Sequence, residues 1–473
     1  MRQYWNKTKV ICTIGPACAR AEILKRMILS GMDVARFNFS HGHFAEHGKL
    51  IKLIKSLNAS LKCSTALLQD LPGPKVRIGT LKQDFFELKK GQNFLLTPKE
   101  IIGTSNAVSV NTLDFIRSLK KKSIVYMNDG LVKLVVTAKK KEDAMCEVLT
   151  AGRIYPKKGI SCPGQFLNLN AVTDFDLKCL KYGLDLGIDF VAVSFVQSAK
   201  DILKVKRYLS RKKNNVFVIA KIERKIALEN IDEIINVSDA VMVARGDLGI
   251  EVKLEEVPFL QKEIIKKANR LNRPVITATQ ILESMVNSPQ PTRAEASDIA
   301  NAILDGTDAL MLSEETAVGR YPVESLKTMV AIAEQTERHL KKMVQNTPFF
   351  PQGEGLMGVF SYAAVNIAEN AKAKAIIVPT QNAGPLFSLS RLRPNSVIVG
   401  ITSKEDVFKR MILFWGVYPI MVKKFGNLQQ TLDKCVQLAK EHKLVNGGKN
   451  VVIMLTKDNR LFASDIMELR SVG

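Results

Sequence analysis

The stretch Val216-Phe-Val-Ile-Ala-Lys-Ile-Glu223 is short, rich in β-branched residues and apolar on both faces. That is the pattern of a strand buried inside a parallel sheet. It ends in Lys221 and Glu223. Residues two apart on a strand share a face, so this cation and carboxylate leave the sheet side by side. The run Ala240-Val-Met-Val-Ala-Arg-Gly-Asp247 repeats the design, with Arg245 and Asp247 at the exit. Two carboxylates and a lysine at neighbouring strand ends suit a divalent cation and a phosphate-bearing substrate.

Outward from this pair, similar runs recur. They are Lys9–Ile14, Asp33–Ser40, Ser64–Asp70, Asp189–Phe195, Pro274–Gln280 and Asp308–Ser313. Most are separated by stretches of helical periodicity, such as Ala21–Ser30, Phe44–Leu57, Ala199–Leu209 and Val257–Arg270. Eight strand–helix units predict a (β/α)8 TIM barrel, an α/β fold whose functional residues lie at the C-terminal ends of the strands. The pattern lapses between the third and fourth units, after Pro72-Gly73-Pro74. There, Ile124–Met127 and Leu131–Val136 flank Asn128-Asp129-Gly130, as in a hairpin. The segment reads as an inserted all-β lid domain. Beyond Asn346–Gly353, strand candidates at Ala375–Val378, Val397–Ile401, Tyr418–Val422 and Val451–Leu455 alternate with helices, giving a smaller C-terminal α/β domain. The expected division is 1–72 with 169–345 for the barrel, 73–168 for the lid and 346–473 for a regulatory or oligomerisation domain.

Composition bounds the function. At 473 residues, 46% hydrophobic and 24% charged, the chain reads as globular with two or three domains. No apolar run reaches the ~20 residues of a membrane span, and no secretory leader is evident in Met1–Thr8. A cytoplasmic protein without membrane contact is expected. The net charge of +23 is spread over scattered lysine runs without interleaved aromatic residues. It reads as solvated surface, so no specific nucleic acid is expected as a partner. The seven cysteines contain no Cys-x-x-Cys pair, so neither a disulfide framework nor a zinc site is implied.

Several residues could carry chemistry. Arg36, Asn38 and Ser40 alternate with Phe37 and Phe39 and share one face at a barrel mouth, where an arginine suits phosphate. Gly246 lets backbone N–H groups approach an anion. Glu223 and Asp247 form the two-carboxylate, water-rich site that Mg²⁺ favours. Thr279, taken alone at a strand end, is more often a capping or ladder residue than a proton relay. His43 and His47 have the i, i+4 spacing of metal-binding helices but lack the glutamate after the first histidine, so His41, His43 and His47 read as a surface helix start.

At this point the motifs resemble the pyruvate kinase family. They include Ile11–Pro16, Gly31–Gly42, Ala220–Glu223, Val243–Gly249, Ala278–Met285, Pro291–Glu295 and Leu312–Ala317. The resemblance is dense over the barrel, thinner in the insert and weak in the C-terminal domain. It implies a phosphotransferase of glycolysis that moves a phosphoryl group from phosphoenolpyruvate to ADP, giving pyruvate and ATP. It implies that Lys221 stabilises the transferring group and that Glu223 and Asp247 hold Mg²⁺ or Mn²⁺. The backbone near Gly246 and Asp247, with Thr279, would hold the substrate carboxylate, and Thr279 would lie near the proton path. Arg36, Asn38, His41, Arg77 and Lys158 match nucleotide- and phosphate-side positions. The family's tetrameric habit implies a homotetramer.

Three departures matter. Asn38, Ser40 and Asp70 match the family's potassium ligands, but Leu71 replaces a threonine and Lys75 a glutamate. The expectation is that the Lys75 ammonium supplies the missing charge and potassium is not required. Ile226 replaces a polar residue three positions after Glu223. The C-terminal loop Thr380–Pro385 is poor in hydroxyls, and the later loop is shortened to Lys457–Arg460, so fructose 1,6-bisphosphate is not expected to activate. Arg391 and Arg393 stay as phosphate-binding candidates. Two rival readings are another barrel enzyme that stabilises pyruvate enolate, and a catalytically idle relative with a regulatory or nucleic-acid-binding role. The insert argues against the first, and the intact set Arg36, Lys221, Glu223, Asp247 and Thr279 against the second.

Overall fold

The structure, a computed structural model, describes residues 6–74, 76–128, 130–163, 170–343, 355–457 and 464–473. Eight parallel strands close into a barrel: Lys9–Thr13, Val34–Asn38, Ala66–Asp70, Phe190–Val193, Phe217–Ile222, Ala240–Ala244, Val275–Ala278 and Ala309–Leu312. Each pairs with its neighbour in sequence among these eight, and the last pairs with the first through Lys9↔Ala309 and Cys12↔Leu312. This is the predicted (β/α)8 architecture.

Strand alternation sorts the apolar side chains into two layers. Val10, Cys12, Ala35, Val191, Val218 and Val243 pack with helix residues such as Leu24, Ile51, Ile202 and Ile264. Ile11, Val34, Leu68, Phe190, Ile219 and Met242 belong to a second core that runs on into the C-terminal region. Both faces are therefore dry, which is why the strands read as continuous apolar runs.

Local rules set the surrounding helices. In Ala199–Arg211, Ile202, Val205 and Leu209 are buried on one side. Asp201 reaches back to accept a hydrogen bond from the Ser198 N–H at 3.0 Å, closing the first turn. The helix Val257–Arg270 has the boundaries its periodicity predicts.

The insert forms a six-stranded sheet and a separate two-stranded one. Phe94, Leu96, Phe115, Val125, Leu134 and Cys146 fill its core. The hairpin of Ile124–Met127 with Val132–Lys140 appears as expected. Asn128 and Gly130 both take positive φ in its loop, and Asp129 lies outside the described residues. The β-rich insert also carries one helix that the sequence reading did not mark. Leu113–Ser118 is a short helix that buries Phe115 and Ile116.

The C-terminal region carries a five-stranded sheet. Its four expected strands are present, at Ala375–Pro379, Val397–Thr402, Val417–Met421 and Asn450–Leu455. A fifth, Ile466–Ser471, adds an antiparallel edge that sequence reading missed. Its side chains are half-buried or exposed, so no strong apolar signal marks it. The expected boundaries at 168/169 and 345/346 fall outside the described residues. No helix among the described residues is long and apolar enough to cross a membrane.

The C-terminal region docks against the N-terminal rim of the barrel. Phe217 meets Phe414 at 6.5 Å, and Phe414 meets Phe387 at 5.2 Å. Arg393 is spent here: its Nη1 lies 3.1 Å from Asp308 Oδ1 and its guanidinium sits 4.7 Å from the Trp415 ring centroid. Arg391 Nη1 donates to the Asn269 carbonyl at 3.4 Å. The reading of these two arginines as phosphate candidates is therefore corrected: both reach into the junction with the barrel.

Candidate active site

The C-terminal ends of the strands gather the charged residues. Arg36 sits on the second strand and Asp70 at the end of the third. Register places Arg36 opposite Leu68 and Asn38 opposite Asp70. Arg36 reaches across: Nε and Nη2 donate to Asp70 Oδ2 at 2.8 and 2.6 Å, while Nη1 donates to Thr13 Oγ1 at 2.7 Å. From the fifth strand, Lys221 Nζ lies 3.3 Å from Asp70 Oδ1 and 2.8 Å from Glu223 Oε1. It also donates to Ser194 Oγ at 2.8 Å. The Glu223 carboxylate accepts the Phe195 N–H at 2.7 Å. Thus residues distant in sequence form one buried network of two cations and two carboxylates. Lys221 and Arg36 are each 8% exposed, and Asp70 and Glu223 each 1%, so each charge depends on its neighbours rather than on water.

The electrostatics follow from burial and pairing. Burial pushes the Asp70 carboxyl up, but the Lys221 and Arg36 charges outweigh that and hold it below the ordinary carboxylate range. Burial opposes the Lys221 cation, but the Asp70 and Glu223 carboxylates win and raise its pKa. Glu223 is raised as well, which disfavours its charged form. Burial and the nearby Asp247 charge raise it despite Lys221. The same direction favours the charge on Lys221 and opposes it on Glu223. We favour Lys221 as a firm cation, because two carboxylates share it, and Glu223 as the group with spare capacity for a further positive charge.

The sixth and seventh strands add the other half. The chain turns at Ala244 straight into the helix Arg245–Glu251. The Gly246 N–H donates to Thr279 Oγ1 at 2.7 Å, and that hydroxyl donates to the Ala278 carbonyl at 2.6 Å. Thr279 and Gln280 have φ of 69° and 51°. For a β-branched residue this left-handed backbone costs about 1–2 kcal/mol and is concentrated at functional sites.

A cleft separates the barrel from the insert. Asp247, Phe195, Arg224 and Glu251 line one side, and Val76, Tyr126 and Gly159–Cys162 the other. Arg77 bridges Gly159, and its Nη1 donates to the Lys157 carbonyl at 2.9 Å. The Ile78 N–H donates to the Lys158 carbonyl at 3.0 Å. Arg77 and Lys158 therefore stand together on the insert side, separate from the Lys221 network.

The remaining candidates fall in local structure. Asn38 Oδ1 accepts the Ser40 N–H at 3.1 Å. Leu71 is buried, its N–H donating to the Ala192 carbonyl. Lys75 lies outside the described residues. His43 precedes the helix Phe44–Leu61, and its N–H donates to Glu46 at 3.0 Å. His47 Nε2 meets the His41 carbonyl at 2.8 Å. The three histidines thus build a helix start. Ile226 sits half-buried in the short helix Lys225–Glu229.

Sequence reading missed Thr13, Ser194, Phe195 and Asp298. Ser194 and Phe195 follow the fourth strand, and their position at a strand end was the available signal. Nothing in the sequence connects Asp298 to the site.

A closed parallel barrel with a charged C-terminal mouth facing an inserted sheet defines a (β/α)8-barrel phosphotransferase. The chain belongs to the pyruvate kinase family. Residues 5–326 match the family's barrel domain and residues 359–460 its alpha/beta domain. The chain is 38% identical over 474 residues to a pyruvate kinase of Staphylococcus saprophyticus, covering 99% of this chain and 81% of that protein. It is 39% identical over 472 residues to one of Bacillus licheniformis, with the same coverage. A solved pyruvate kinase from Cryptosporidium parvum superposes with a TM-score of 0.91 at 31% identity, covering 99% of this chain and 96% of that one. The reaction is phosphoryl transfer from phosphoenolpyruvate to ADP, and the family generally uses a divalent metal.

Proposed function

We propose that phosphoenolpyruvate binds at the mouth between Lys221 and the Gly246–Thr279 contact, with ADP entering from the insert side. What carries this reading is the Lys221 ammonium, held 2.8 Å from Glu223 within a dry network. In such a site a fixed cation stabilises developing phosphoryl charge more than it would in water. Lys221 and Arg36 bind the phosphoryl oxygens. The Gly246 and Asp247 amides and the Thr279 hydroxyl orient the substrate carboxylate. The P–O bond to the enol oxygen breaks, its electron pair stays on the enolate, and a new P–O bond forms to the terminal phosphate of ADP. The enolate carbon then takes a proton from solvent on the side where Thr279 stands.

The donor set fits a divalent cation. Glu223 Oε1 is buried without a well-angled hydrogen bond, and Asp247 lies close enough for its charge to act on Glu223. Mg²⁺ is held by one or two carboxylates with substrate and water completing its shell. Glu223 and Asp247 would hold Mg²⁺ or Mn²⁺, which supplies charge neutralisation across the substrate oxygens. Asn38, Ser40, Asp70 and Leu71 mark the monovalent site, and with Lys75 in place of glutamate the enzyme works without potassium. Arg36, Asn38, His41, Arg77 and Lys158 take the nucleotide phosphates, while the insert closes and excludes water. The protein acts in the cytoplasm as a homotetramer.

The test is pyruvate formation from phosphoenolpyruvate, ADP and Mg²⁺ in potassium-free buffer, then with KCl. Full activity in both supports the whole reading. Activity only with KCl removes the Lys75 role, and silence in both removes the site assignment.

A further inference from the structure

Arg245 stands at the exit of the sixth strand, yet none of the roles above uses it. Its side chain is only 10% exposed. Nη1 donates to both oxygens of Asp298, at 2.8 and 2.7 Å, and to Gln261 Oε1 at 3.4 Å. Nη2 donates to the Thr279 and Gln280 carbonyls, each at 2.9 Å, and Nε adds a longer contact to Thr279 O at 3.3 Å. Every guanidinium nitrogen is engaged. These carbonyls belong to the two consecutive residues with positive φ. A planar cation thus ties down the strained turn that presents the Thr279 hydroxyl to the Gly246 amide.

We propose that Arg245, oriented by Asp298 on the helix Arg293–Leu304, is a positioning residue that holds the Thr279–Gln280 turn in its working geometry. Arg245 touches no substrate. It fixes where the Thr279 hydroxyl lies relative to the enolate carbon, so it governs the protonation half of the reaction. A lysine cannot replace it, because one ammonium cannot span two carbonyls and a carboxylate in one plane. The inference rests on the role given above to Thr279.

The experiment is a double-mutant cycle with Arg245→Lys, Thr279→Ala and both together. Solvent-deuterium exchange into the pyruvate methyl group is followed beside steady-state kinetics. Arg245→Lys is expected to lower kcat and the exchange rate together by about 10–100-fold. KM for ADP should hold within about threefold, since the nucleotide contacts lie elsewhere. The double variant should be no slower than Thr279→Ala alone, because a residue acting through another is not additive with it. Additive losses, or wild-type exchange in Arg245→Lys, would overturn the proposal. A Thr279→Ala enzyme with full activity would instead overturn the role of Thr279. If Arg245→Lys fails to fold, Asp298→Asn provides the same cycle, with the same outcomes expected.

Discussion

Ser194 Oγ accepts a hydrogen bond from the Lys221 ammonium at 2.8 Å and donates one to the Leu71 carbonyl at 2.7 Å. This hydroxyl therefore links Lys221 to the chain just before the insert begins. Ser194→Ala leaves Lys221 with its two carboxylates but frees its direction. Its kcat is expected to fall about tenfold, with folding intact, because small misplacements of a positioned group are costly. Wild-type kcat in this variant would show that the carboxylates alone fix Lys221.

Gly73 sits where the insert departs, at φ +65°, with its N–H donated to Asp176 Oδ1 at 2.9 Å. A Cβ there would lie 2.9 Å from Phe195 Cδ2 and 3.0 Å from Ser194 Cβ. Gly73→Ala is expected to cost at least about 1 kcal/mol from backbone strain alone. It should also lower kcat, since Ser194 and Phe195 contact Lys221 and Glu223. A urea titration and steady-state kinetics read the two effects separately.

Asp308 and Arg393 form the buried pair that joins barrel to C-terminal sheet. Burial raises the Asp308 pKa and lowers that of Arg393, in each case outweighing the pairing. Arg393→Ala strands an uncompensated carboxylate, and a loss of about 3–5 kcal/mol is expected. Adding Asp308→Asn should restore much of it. Chemical denaturation of the single and double variants checks this.

His47 stacks on Phe39 with ring centroids 4.4 Å apart, and burial lowers its pKa below the ordinary 6.5. The folded state therefore protonates less readily than the unfolded chain. Stability should be constant above pH 6.5 with respect to this group, then fall as pH drops below 6.5, levelling off beneath the folded pKa. His47→Gln is expected to flatten that part of the curve, as measured by melting temperature against pH.

Fructose 1,6-bisphosphate is expected to leave the half-saturation for phosphoenolpyruvate unchanged. Thr380 is buried, and its hydroxyl exchanges hydrogen bonds with the Asn382 backbone at 2.5 and 3.0 Å. Asn382 Oδ1 in turn takes the Gly384 N–H at 3.0 Å. The loop satisfies itself and offers few donors to a phosphate. Residues 458–460 of the second loop lie outside the described residues. Saturation curves with and without the sugar bisphosphate decide the matter.

The barrel was legible because each strand is buried on both faces and bounded by capped, amphipathic helices, so local pattern and tertiary position agree. Lys221, Glu223, Asp247 and Arg36 could be picked out for the same reason: a charge at the end of an apolar run needs a purpose. Leu113–Ser118 and Ile466–Ser471 were missed because one is a six-residue helix within a β pattern and the other a half-exposed edge with a weak period. The reading of Arg391 and Arg393 as phosphate candidates failed because sequence gives the sign of a charge but not which surface is buried against another.

By itself, the sequence determined the closed parallel barrel, the insert between its third and fourth strands, and the strand ends that bear charge. Strand periodicity and chain order carry that information directly. Tertiary structure alone decided which charges meet. Asp70 became the shared partner of Arg36 and Lys221, and Asp298 was brought to Arg245 and thence to the Thr279 turn. The physical reason is that barrel closure sets neighbours across the mouth by strand register and side-chain reach, and neither is a function of separation along the chain.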